Sequence, residues 1–148
     1  MKTKLHAIAG TIGFLTIATF WTTTLVSELF GDQASITSVK NFILWGMLVL
    51  IPAMAVTAGS GFSLSAGRRG RLVDTKKKRM PIIGANGLLI LIPCAFFLAA
   101  KANAGEFDTT FYAVQGLELI AGAANLTLMG LNIRDGLKMT GRLRQRSA

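Results

Sequence analysis

The residues of this chain best equipped for chemistry fall on two helical faces. The first begins in the stretch KLHAIAGTIGF, where the only histidine, His6, is followed at helical spacing by Gly10 and Gly13. Continued at the same period, that face takes in Ile17, Trp21, Thr24 and Glu28. An imidazole beside two glycines suits an axial metal ligand next to a flat macrocycle, because glycine lets another surface approach a helix closely. The second face holds Phe111, Gln115, Glu118, Gly122, Asn125, Met129 and Asn132, with three amides and one carboxyl in a single stripe. A carboxyl in low dielectric can take up and release a proton, so Gln115, Glu118, Asn125 and Asn132 form a candidate proton path. The same residues suit a structural role, in which Glu118 stays neutral and bonds Gln115 or a neighbouring helix.

Other familiar chemistries lack their residues. The sequence contains no GxxxxGK[ST] phosphate loop, no His-x-x-x-His or Cys-x-x-Cys metal pair and no G-x-S-x-G nucleophile elbow. Cys94 is the only cysteine, which excludes an intrachain disulfide and leaves a small apolar filler as its simplest role.

The elements that must position these residues are membrane-spanning helices. Four apolar segments, residues 5–30, 39–62, 81–100 and 110–133, each approach or exceed the roughly 20 residues that a helix needs to cross a bilayer. Only helices satisfy their own backbone in lipid in a chain of this pattern, so the expected fold is an all-α, four-transmembrane-helix bundle. Residues 1–148 then form a single integral membrane domain, with a basic connector at 63–80 and a basic tail at 134–148. Pro52 and Pro93, in the matching stretches LIPAMA and LIPCAF, predict a pair of kinks. Pro81 is expected in the first turn of the third helix and GSGFS, Gly59 to Ser63, as a flexible exit from the second.

Charge placement sets the expected orientation. Lys2 and Lys4, the connector's Arg68, Arg69, Arg71, Lys76, Lys77, Lys78 and Arg79, and the tail's Arg134, Lys138, Arg142, Arg144 and Arg146 make 14 of the 16 basic residues. The other two connectors hold only Lys40 and Lys101, so the positive-inside rule puts both termini in the cytoplasm of a bacterial inner membrane. The basic tail lacks the aromatic or motif context of a nucleic-acid module, and the connector suits anionic lipid head groups. The first apolar stretch is too long, and Asp32-Gln33-Ala34 too poor a cleavage site, for a signal peptide.

With four helices, cytoplasmic termini and a histidine facing glycine, the chain resembles small bacterial membrane b-type cytochromes. The resemblance implies haem b, with His6 as axial ligand, Gly10 and Gly13 against the macrocycle, and Met54, Met129 or Met80 as second ligand. Arg79, Arg68 or Arg69 would meet the propionates, and Asn86 and Asn125 lie in the same half of the membrane. The chain departs from that pattern in having one histidine, which leaves a His/Met site, a five-coordinate haem or a site shared between two subunits. The leading expectation is therefore one-electron transfer or haem handling in a homo-oligomer, a dimer, with a redox partner. The alternatives are a small proton-coupled transporter or channel using Glu118, and an accessory subunit of a larger membrane complex. Close helix contacts at glycine and alanine support oligomer formation.

Overall fold

A computed structural model describes residues 1–141. Its helices are α1 (Lys2–Phe30), α2 (Gln33–Ser65), α3 (Arg71–Asn86), α4 (Ile92–Asn103) and α5 (Thr109–Met139), with a π-helical turn, Gly87–Leu91, joining α3 to α4. Because that turn continues the helix, Arg71–Asn103 acts as one span, and the described residues contain four helices long and apolar enough to cross a membrane. Apolar side chains such as Trp45, Leu48, Leu89 and Ile120 point outward, as a lipid-facing surface requires.

Each reversal has a local cause. Asp32 closes the α1–α2 turn by accepting the Ser35 N–H at 2.8 Å and the Ser35 hydroxyl at 2.6 Å. Asp108 does the same for α5 by accepting the Phe111 N–H at 2.9 Å. Between α2 and α3 the chain turns at Gly67 and Gly70, whose φ values of 79° and 140° suit glycine alone.

The spans pack as a ring. α1 rests on α2 and α5, while the third span rests on α2 and α5 from the other side, and backbones approach across neither diagonal. Glycines permit the tightest approaches: Gly46 of α2 lies under the Phe20 ring, and a Cβ on Gly122 of α5 would come within 2.9 Å of the Trp21 ring. Three small apolar clusters fill the interior: Ile36, Leu98, Ala102 and Phe111 at one end, Ile43, Met47 and Ala95 centrally, and Ile17, Ile83 and Met129 toward the basic end.

Several boundaries differ from those expected. Most of the connector 63–80 is helical, since α2 runs to Ser65 and α3 begins at Arg71, leaving residues 66–70 as the turn. Lys, Arg, Leu and Met are good helix formers, and a helix can leave the hydrocarbon without unwinding. GSGFS therefore belongs to α2, and Pro81 sits inside α3 rather than in its first turn. The tail at 134–148 is helical through Met139; Arg142, Arg144 and Arg146 lie outside the described residues. Of the paired prolines, only Pro93 follows a change of helix type. The Ile92 N–H reaches back five residues to the Gly87 carbonyl, which widens the helix just before the proline ring, whereas Pro52 sits within continuous α-helix.

Candidate functional site

The inward faces of α1 and α5 are those the spacing indicates. Gly13, Ile17 and Thr24 are buried on α1, and Phe111, Gln115, Gly122, Asn125 and Met129 on α5. What the spacing alone does not contain is the partner that meets Glu118. Lys40, expected where the connector meets the second span, is 1% exposed and donates to Glu118 Oε2 at 2.8 Å. The same oxygen accepts the Gln115 side-chain amide at 2.9 Å.

Helix geometry explains how these groups meet. Lys40 is seven residues into α2 and Glu118 nine residues into α5, about 10 and about 14 Å along their helices. Side chains tilt toward their helix N-terminus, so both lean toward the Asp32 and Asp108 end. Glu28 stands near the C-terminal end of α1, which runs the other way, and so leans inward toward them. Its carboxyl interacts electrostatically with both Lys40 and Glu118. The Lys40–Glu118 contact spans a diagonal of the ring, tying together two helices whose backbones do not approach.

A second polar group occupies mid-bundle. Asn86 donates to the Ala121 carbonyl at 2.8 Å and to the Asn125 side-chain oxygen at 2.9 Å, and Asn125 is 1% exposed. Between this group and the ion pair lies a cavity of about 250 Å³, walled by Ile17, Trp21, Leu50 and Ile83 and reaching both Glu118 and Asn125. Trp21 is held at its wall by donating to the Leu119 carbonyl at 2.9 Å. Leu88 and Ile51, which also line the cavity, lie on the lipid-facing surface.

At the basic end, Arg79 donates to Asp135 at 2.8 Å and meets the Asn132 side-chain oxygen at 3.5 Å, clamping α3 to α5. Asp135 was not among the expected site residues, although its side chain is 4% exposed. The polar groups of α5 thus recur at Glu118, Asn125 and Asn132, seven residues apart, each with a partner on another helix.

No family model, curated protein or solved structure matches the chain.

The residues gathered for a porphyrin lie together near the basic end but touch one another. His6 Nδ1 is 3.1 Å from the Thr57 carbonyl and 3.0 Å from the Ser60 hydroxyl, and a proton on Nδ1 would donate there, leaving Nε2 with a free lone pair. Gly10 faces Thr57, while Gly13 faces Met54 and Met129. A porphyrin on that glycine face would have to displace Thr57 and Met54, so in this packing the two glycines serve the α1–α2 contact. Met80 and His6 both rest against Gly61 of α2, whereas Asn86 and Asn125 bond each other and Arg79 is engaged by Asp135.

Lys40 escaped the sequence reading through a helix boundary. Asp32 with Ser35 is a recognisable N-cap signal, and a helix begun there carries Lys40 about two turns inward.

Proposed function

We propose that the chain is a small membrane proton carrier in which Glu118 and Lys40 form the proton-linked pair and the bundle cavity forms part of the path. One observation carries this reading: a lysine–carboxylate pair, 1% and 13% exposed, crosses the bundle, and its Glu118 lines an apolar cavity. Burying two charges away from water is costly, and an apolar pair of similar volume can hold helices as well, so an intramembrane ion pair points to use rather than to stability. Protonating Glu118 cancels its charge and releases Lys40, which unties α2 from α5. That change alters how the ring can open around the cavity, the kind of two-state element that coupling requires. With the basic end in the cytoplasm of a bacterial inner membrane, the pair lies in the outer half of the bilayer. Asn86, Asn125 and the Arg79, Asn132 and Asp135 group continue the polar column toward the cytoplasm.

Proteoliposomes enclosing a pH-sensitive dye test this. Under a potassium diffusion potential, lumenal acidification is expected with the wild type, is expected to stop with Glu118→Gln and to persist with His6→Ala. Equal rates in wild type and Glu118→Gln reject the reading.

The anchoring of His6 Nδ1 favours a second reading, haem b ligation through Nε2, because a fixed second nitrogen is how protein histidines are oriented toward a metal. Such a group would supply one-electron chemistry, with Met80 or His6 of a second subunit available as the other ligand. A Soret band in the purified protein that is lost in His6→Ala supports it; a protein colourless after incubation with hemin rejects it.

A further inference from the structure

We infer that Glu28, Lys40, Gln115 and Glu118 form a binding site for one proton, and that Glu28 carries it. The inference deepens the carrier reading by naming where the proton rests before it passes to Glu118 and frees Lys40.

Two carboxyls and one ammonium lie within electrostatic reach of one another, so ionising both carboxyls leaves one net negative charge among partly or fully buried groups, which low dielectric disfavours. The hydrogen bonds then identify the ionised member. Glu118 Oε2 accepts both the Lys40 ammonium, at 2.8 Å, and the Gln115 amide, at 2.9 Å, which is the environment of a carboxylate. Glu28 has no such support: its Oε1 is buried and receives no donor from the described residues. Gln115 Oε1, on a side chain otherwise committed to Glu118, is the other buried acceptor in the cluster without a donor. Gln115 itself is 3% exposed. Two orphaned acceptors in one cluster mark a missing hydrogen, since buried polar atoms are almost always paired. A proton on Glu28 brings the cluster to neutrality, turns one orphan into a donor and creates a partner for a neighbouring acceptor. Lys40 of α2 and Glu118 of α5 lie within electrostatic reach of the Glu28 carboxyl, and Cys94 of α4 adds a thiol within reach of the Lys40–Glu118 pair.

Infrared spectroscopy of the full chain in liposomes reads this proton directly. A protonated carboxyl shows a carbonyl stretch, shifted in heavy water, that a carboxylate lacks. At neutral pH the band is expected in the wild type and absent in Glu28→Gln. In Lys40→Met it is expected to grow, because Glu118 loses its counter-charge and must also take up a proton. Absence of the band from the wild type, or its persistence unchanged in Glu28→Gln, overturns the assignment. If Glu28→Gln does not fold, an unchanged band in Lys40→Met overturns it instead. Replacing choline with sodium at constant pH is expected to leave the band intact; its loss in sodium makes a metal cation the occupant and overturns the proton. A band lost in Glu28→Gln without proton flux leaves this inference standing and removes the carrier reading; flux with a band retained in Glu28→Gln does the reverse.

Discussion

Lys40 and Glu118 are worth more to each other than either is to the fold. Removing one member of a buried pair leaves an uncompensated charge, at a typical cost of about 3–5 kcal/mol, whereas replacing both with apolar groups is commonly near neutral. In denaturation from detergent micelles, Lys40→Met is therefore expected to lose more stability than the double variant Lys40→Met/Glu118→Leu. A double variant weaker by the sum of the single losses would show that the pair is not coupled. Asn86 and Asn125 obey a milder rule. Interhelical hydrogen bonds in membrane proteins contribute roughly 0.6–2 kcal/mol, so Asn86→Leu is expected to cost about that much in the same assay. The Gln115–Glu118 bond was legible in the sequence because residues three apart share a helix face. The Lys40–Glu118 pair was not, because the two residues are 78 positions apart and nothing local specifies which helix faces which.

The caps and the π-helical turn are properties of elements. Asp32 and Asp108 sit below the ordinary carboxylate range, Asp32 through bonds from the Ser35 hydroxyl and backbone N–H. Asp108 is held down chiefly by Lys101, whose ammonium lies at 2.6 Å, and then by the Phe111 N–H. A depressed carboxyl contributes stability above its unfolded value, about 3.9, and that contribution disappears as pH falls through the lower folded value. Thermal midpoints in detergent should therefore fall between about pH 5 and about pH 2, with a flatter acid slope in Asp32→Asn/Asp108→Asn. An identical slope would assign acid sensitivity to other carboxyls. The π-helical turn is a different case. Pro93 announces a disturbed helix, but the sequence does not state whether a bend or a wider turn relieves the ring's clash. Packing selected the wider turn, and Asn86, the residue just before it, meets Asn125.

At the scale of the molecule, charge rather than packing sets the expected orientation. In a Cys94→Ala background, Ala104→Cys is expected to react with a membrane-impermeant maleimide in intact cells. Ala66→Cys should react only after permeabilisation. The opposite pattern would invert the bundle and move the ion pair to the inner leaflet.

Four apolar runs of spanning length were enough to specify helices and their number, and helical spacing marked the inward faces of α1 and α5, because hydrophobic period and backbone satisfaction in lipid are local constraints. The alternation of short reversals also made neighbours antiparallel. Ring order, the diagonal on which Lys40 meets Glu118, the covering of Gly10 and Gly13 by α2 and the cavity beside Trp21 depend on how helices rotate and settle against one another. Those choices arise from side-chain contacts between residues distant in the chain, so only the tertiary structure could decide them.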